Sequence, residues 1–155
     1  MDRPYHFVES GLDNVFLAGI TIRTCAECGE QLPEIPNISQ LHDKIAEAIA
    51  TKPAELNAQE IRFLRKNLGL QAGEFANYLD TSPVSVSRWE NGGEVSKEND
   101  KLIRYFYLRF KEEKTKSRIE HALVEKLRHA DKPSKPLHLN VRVKPGGVKA
   151  EFVET

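Results

Sequence analysis

One stretch constrains this chain more than any other: Thr81-Ser82-Pro83-Val84-Ser85-Val86-Ser87-Arg88-Trp89-Glu90-Asn91-Gly92. Ser82 is a good helix N-cap, because its hydroxyl accepts a first-turn amide that has no partner inside the helix. Pro83 falls at the first helical position, where a missing N–H costs nothing and the fixed φ suits the turn. Gly92 and Gly93 are C-terminal stop signals. The spacing therefore predicts a short helix beginning at Pro83. Val86 and Trp89 belong to its core side. The outer side is mostly short residues, as a helix that enters a major groove requires.

The flanking residues predict three more helices. Asn57-Ala58-Gln59-Glu60 is a capping box, in which Asn57 bonds a first-turn amide and Glu60 reaches back. Ile61, Leu64 and Leu68 then recur at helical spacing, and Gly69 stops the run. A second helix begins near Gln71, with Phe75, Ala76 and Leu79 on one face, and Asp80-Thr81 turns into the third. Ser96 or Lys97 opens a fourth, whose apolar face is Leu102, Ile103, Phe106, Tyr107 and Phe110. Four short helices with a tight turn between the second and third form a DNA-reading helix-turn-helix.

The segments Ile61-Arg62-x-Leu64-Arg65, Leu68-Gly69-Leu70, Glu74-Phe75-Ala76 and Val86-Ser87-Arg88-Trp89-Glu90-Asn91-Gly92 resemble the repressor-type (XRE) helix-turn-helix family. The resemblance implies base contacts from Pro83, Val84 and Arg88, with Ser82, Ser85 and Ser87 near phosphates or base edges. Gln71 and Asn91 complete the candidate set. A guanidinium at Arg88 can bond guanine O6 and N7 together, and Val84 can meet a thymine methyl. The alternative for Arg88 is a solvated side chain, or one paired with Glu90 or Glu94. The family often has Gln at the second position of the second helix; here it is Ala72.

Charge is unevenly distributed, although the net charge is zero. Residues 1–52 hold 4 Lys and Arg against 8 Asp and Glu, and residues 53–155 hold 19 against 15. The basic half contains the helix-turn-helix, which agrees with a DNA-facing part and a second part facing something else. The excess is small, so phosphate attraction alone gives weak binding, and dimerisation would double it. No apolar run reaches membrane-spanning length, no basic-then-apolar leader is seen, and two cysteines make no disulfide scaffold. A reducing cytoplasm is the expected compartment.

The N-terminal segment reads as β, with strand-like runs at Tyr5-His6-Phe7-Val8, Val15-Phe16-Leu17 and Ile20-Thr21-Ile22. Cys25-Ala26-Glu27-Cys28-Gly29 has the shape of a zinc knuckle, whose tight turn aims both thiolates at one metal. Pro33, Pro36 and Asn37 read as a linker. Ile38, Leu41, Ile45 and Ile49 mark a helix that ends at Thr51-Lys52-Pro53. Ser10-Gly11-Leu12-Asp13-Asn14-Val15-x-Leu17, Cys25-x-x-Cys28-Gly29-Glu30 and Ile35-Pro36-x-Ile38-x-x-Leu41-His42 resemble the MqsA (YgiT)-type zinc-finger/helix-turn-helix antitoxins. That resemblance implies repression through the helix-turn-helix and, where a toxin is paired, neutralisation through the N-terminal domain. Better-known members carry two C-x-x-C pairs; this chain has one. Two thiolates do not complete a tetrahedral zinc site. Three arrangements remain open: two chains pooling Cys25 and Cys28, a histidine such as His6 or His42 joining, or a metal-free remnant. Thioredoxin-type redox chemistry is disfavoured, since Gly29 and Pro33 do not open a helix.

Residues 115–130 have the pattern of an amphipathic helix, with Ile119, Ala122, Leu123 and Leu127 on one face. Residues 131–136 read as a linker. Leu137–Lys144 alternates as a strand, Pro145-Gly146-Gly147 turns, and Val148–Val153 alternates again, as in a β-hairpin. A lone hairpin is marginal in water, so it is expected to pair with the N-terminal strands, a second copy or a partner protein; the alternative is a disordered tail, against which the alternation argues.

The expected fold is α+β: a β and knuckle-like domain over residues 1–52, an all-α XRE-type domain over 53–112, and a C-terminal helix and hairpin over 113–155, with dimerisation through the fourth helix of the XRE-type domain or through residues 115–155. The expected function is a homodimeric repressor on a palindromic double-stranded operator, the antitoxin of a type II toxin-antitoxin system that regulates its own operon. The alternative is a stand-alone regulator, or an interaction module holding a partner through the N-terminal domain or the hairpin. No nucleophile, base and orienter set and no phosphate-binding Gly loop is present, so no enzyme is expected.

Overall fold

The computed structural model describes residues 3–115 and 135–154. In chain order its elements are β1 (Tyr5–His6), β2 (Val15–Ala18), β3 (Thr21–Thr24), β4 (Gln31–Glu34), α1 (Ile38–Ala50), α2 (Ala58–Asn67), α3 (Ala72–Tyr78), α4 (Pro83–Glu90), α5 (Lys97–Thr115), β5 (Leu137–Lys144) and β6 (Gly147–Glu154). The fold is α+β, as the residue patterns require. The described residues form two compact units. One takes the chain up to Ile45 together with the segment from Lys135; the other begins at Ala46. The expected boundaries at 52 and 112 differ from this division, because the terminal hairpin completes the N-terminal sheet.

In the first unit the sheet order is β1-β2-β5-β6. β1 lies antiparallel to β2, β2 parallel to β5, and β5 antiparallel to β6. Of the three partners open to the hairpin, the N-terminal strands are the one observed. The register sets Val15 beside Leu139 and Leu17 beside Val141. All four are buried, as are Val143, Phe7, Leu12, Leu41 and Ile45. Strict alternation along β5 thus puts one face of the strand in the core, the reason its sequence alternates. Asn14 extends the link to the hairpin: its Nδ2 donates to the Leu137 carbonyl at 3.1 Å, and its own carbonyl accepts the Leu139 amide at 2.5 Å. Gly19 follows β2 with φ +76°, and a Cβ there would stand 2.5 Å from the Val143 carbonyl oxygen. Only glycine lets the two backbones come so close.

β3 and β4 make a separate antiparallel ribbon with Ile22 opposite Pro33. The expected linker at Pro33 is therefore a strand. Both strands of a two-stranded ribbon are edges, so a proline without an N–H is tolerated. The expected strand at 5–8 is shorter, since Val8–Ser10 turns as a 3-10 helix.

In the second unit the capping box forms as expected: Glu60 N–H donates to Asn57 Oδ1 at 2.9 Å, and Asn57 N–H donates to Glu60 Oε2 at 2.8 Å. Ile61, Leu64, Phe75, Ala76, Leu79, Val86, Trp89, Ile103 and Tyr107 are buried. The α5 face differs in part from expectation. Leu102 is exposed, Leu108 is buried, and Arg104 is fully buried. Arg104 occupies an interior position because the irregular backbone before α2 supplies acceptors. Its Nη1 donates to the Lys52 carbonyl at 2.8 Å, its Nη2 donates to the Ala54 carbonyl, and its Nε pairs with Asp100 Oδ2 at 2.9 Å. Asp100 in turn accepts the Leu56 amide at 2.7 Å. A buried guanidinium needs such partners, and here each one also closes a backbone group. The amphipathic helix expected over 115–130 lies, beyond Thr115, outside the described residues.

Candidate nucleic-acid interface

α3 and α4 are joined by Leu79–Ser82, where Asp80 takes φ +51° and the Thr81 amide closes on the Ala76 carbonyl at 2.9 Å. Asp is among the few non-glycine residues that adopt this conformation readily. Ser82 then caps α4, accepting the Ser85 amide at 3.1 Å, with Pro83 in the first turn. At the other end the chain leaves in a Schellman motif. The Gly93 amide reaches the Arg88 carbonyl at 2.8 Å, the Gly92 amide reaches the Trp89 carbonyl at 3.4 Å, and Gly92 has φ +93°.

Two anchors fix the inner side of α4. Val86 and Trp89 are buried in the core. Glu90 receives the guanidinium of Arg65 from α2 in a bidentate pair, Nε to Oε1 at 2.6 Å and Nη2 to Oε2 at 2.9 Å. The same guanidinium donates through Nη1 to the Leu70 carbonyl at 2.9 Å. Arg62 adds a bond from Nη2 to the Glu90 carbonyl at 2.8 Å. The Glu90 hydrogen bond pushes the Arg65 pKa up, with burial opposing it. A planar fork on a carboxylate fixes orientation as well as distance. The position of α4 relative to α2 is therefore held by geometry.

The outer side of α4 is left open. Ser82, Pro83, Ser87 and Arg88 are exposed, and Val84 is 77% exposed. Ser85 is half-buried, its Oγ 3.0 Å from that of Ser82. Arg88 makes no ion pair among the described residues. Glu90, one of its two possible partners, is held by Arg65. These residues form one continuous face at the N-terminal end and centre of the helix. Asn91 sits at its C-terminal end, its Nδ2 donating to the Ser87 carbonyl at 2.7 Å. Gln71 stands apart, exposed at the N-cap of α3, where its amide donates to Glu74 Oε2 at 2.7 Å. Arg62 and Arg65 were visible in the sequence only as pattern residues. Neither the spacing nor the composition tied them to Glu90, some 25 residues away.

Residues 61–104 match a family model described as helix-turn-helix. The central domain is an XRE-type helix-turn-helix, a DNA-binding domain of transcription regulators. The match covers less than half of the chain and characterises this domain. No curated protein and no solved structure matched the chain.

Cys25 and Cys28 lie together in the turn between β3 and β4. The Cys25 amide donates to the Glu30 carbonyl at 2.8 Å and the Gly29 amide to the Cys25 carbonyl at 3.0 Å. The Cys28 and Glu27 amides and the Cys28 side chain hold the Cys25 thiol below its ordinary pKa. The turn offers a metal two thiolates, half of a tetrahedral set. Among the described residues no group of three or more His, Cys, Asp or Glu side chains is gathered around one point. His6 instead bonds the Asp13 carbonyl through Nε2 at 2.8 Å, and the His42 ring stacks on Phe7. The residues present do not by themselves fit a zinc site. Among the described residues, no helix is long and apolar enough to cross a membrane.

Proposed function

We propose that the chain is a homodimeric transcriptional repressor that reads a palindromic operator through α4, and that it is the antitoxin of a toxin-antitoxin pair. The observation that carries the DNA reading is the division of labour along one helix. Val86, Trp89 and Glu90 are spent on holding α4 in place, while the exposed side chains of Val84 and Arg88 have no polar partner among the described residues. An exposed arginine on a fixed helix suits bidentate readout of guanine, and Val84 suits a thymine methyl. Ser82, Pro83 and Ser85 line the helix N-terminus, where the helix dipole favours a phosphate and the serine hydroxyls can donate to it. Asn91, at the C-terminal end of this face, and Gln71, apart from it at the N-cap of α3, would meet the DNA backbone.

Homodimerisation follows from the shallow charge excess. One reading helix covers one half-site, and two copies double the phosphate contacts. The antitoxin assignment rests on the N-terminal resemblance and on the first unit having a core of its own, available to a protein partner. The test is fluorescence anisotropy of the full chain with DNA from upstream of its own coding sequence, at two salt concentrations. Tight, salt-sensitive binding that Arg88→Ala lowers by about tenfold to a hundredfold, with loss of discrimination at one base position, supports the reading. Binding that keeps its specificity in Arg88→Ala rejects α4 as the reading element. Co-purification of the neighbouring operon product tests the antitoxin role separately.

A further inference from the structure

The sheet of the first unit ends in an open strand. β6 is outermost in the order β1-β2-β5-β6, and no strand among the described residues pairs with its far side. It runs eight residues in unbroken register with β5, from Lys144 opposite Gly147 to Leu137 opposite Glu154. It contains no proline and no bulge. An edge of that length and regularity is a template for a further strand.

Charge shows which strand fits. The two-residue turn at Pro145-Gly146 makes Lys144 and Gly147 the closing hydrogen-bonded pair, and bonded and non-bonded pairs alternate from there. The outward-facing amides then include those of Val148 and Ala150, with Lys149 and Glu151 between and beyond them. An antiparallel copy of β6 must match outward residues to outward residues. Centring the pair on Lys149 or on Glu151 sets like charges directly opposite, which is unfavourable. Centring it on Ala150 sets Lys149 of each copy opposite Glu151 of the other, twice by symmetry, at the closer-spaced non-hydrogen-bonded positions. Within the chain Lys149 faces Arg142 and Glu151 faces Asn140. Both are exposed, and neither has an opposite charge across the hairpin. A second copy supplies what each lacks.

We propose that β6 pairs with β6 of a second copy, antiparallel and centred on Ala150, so that the two sheets become one. The inference rests on the homodimer reading and names its interface. Sedimentation velocity of the full chain tests it, comparing wild type, Lys149→Glu, Glu151→Lys and the doubly swapped chain in low salt. Wild type should be a dimer. Each single change should weaken the dimer about tenfold, because two attractive pairs become repulsive. The double swap should restore it, which a misfolded variant would not do. Unchanged dimerisation in both single variants overturns this interface and leaves the homodimer reading standing. Weakening without rescue overturns the register. A wild-type monomer at micromolar concentration overturns both.

Discussion

Glu90 ties α4 to α2 through Arg65. Its side chain is 6% exposed and that of Arg65 is 12%, so the pair is largely shielded from water. Removing one partner strands the other, and the cost of a broken buried pair is about 3–5 kcal/mol. Glu90→Ala should therefore lower the urea midpoint strongly, and should weaken DNA binding although no outward residue has changed. Arg88→Ala should weaken DNA binding too, but should leave the unfolding free energy within about 0.5 kcal/mol, as exposed substitutions do. Cys25 invites a chemical measurement. Its thiol is held below its ordinary pKa by the Cys28 and Glu27 amides and the Cys28 side chain. Near neutral pH it should be alkylated by iodoacetamide faster than Cys28, which peptide mass spectrometry resolves. His42 gives a pH dependence. Burial lowers its pKa, with the Asp43 charge opposing. The unfolded chain then binds the proton more readily than the folded one, so stability is intact above the ordinary histidine pKa of about 6.5 and declines as pH falls below it. Replacing His42 by Gln should flatten this slope in denaturation midpoints measured across that range.

At the scale of the elements, the cap of α4 is where sequence and structure agree most closely, and it sets its own test. A Cβ on Gly93 would stand 2.8 Å from the Arg88 carbonyl oxygen and 2.4 Å from the Arg88 Cγ, while Gly92 has open space but φ +93°. Gly92→Ala should cost about 1 kcal/mol for the strained backbone. Gly93→Ala should cost more, because backbone must move, and should displace Arg88 and so reduce DNA affinity as well; urea denaturation and anisotropy on both variants check the order. The helices of the second unit were legible because each carries its own start and stop: Asn57 with Glu60, Ser82 with Pro83, Gly69, Gly92. These signals act over four residues or fewer and need no knowledge of the fold. β4 was not legible, since Pro33 speaks against a strand until its place in a two-stranded ribbon is known. Arg104 was not legible either. A charged residue between Ile103 and Tyr105 reads as solvated unless the carbonyls of Lys52 and Ala54, about fifty residues earlier, are known to face it. The outward face of α4 was legible as residue types, but whether Glu90 was open to Arg88 depended on Arg65 taking it.

Across the whole molecule, the sequence left three partners open to the hairpin, and the one observed joins the N-terminal and C-terminal segments through β2 and β5. It changes the electrostatics. By segment the first 52 residues carry a clear acidic excess, but the chain up to residue 45 taken with residues 135–155 holds 7 basic and 9 acidic residues, a nearly balanced unit. The partner proposed for this unit would then be recognised by shape and strand pairing more than by net charge. It also makes the first unit depend on residues more than a hundred positions apart, since Leu139, Val141 and Val143 supply buried core beside Val15 and Leu17. A chain ending before Lys135 would leave β2 with only the two residues of β1 beside it, too little to hold a sheet. The second unit has its own core in Ile61, Phe75, Val86, Trp89 and Ile103. Truncation at residue 134 should therefore abolish amide-exchange protection in β2 while leaving protection in α2, α3 and α4 near its full-length level. The truncated chain should also keep its affinity for an isolated half-site and lose its dimerisation, because β6 goes with the deletion. Retained protection in β2 would mean that the N-terminal strands fold without the hairpin, and the parallel pairing would then be an addition to that unit instead of its centre.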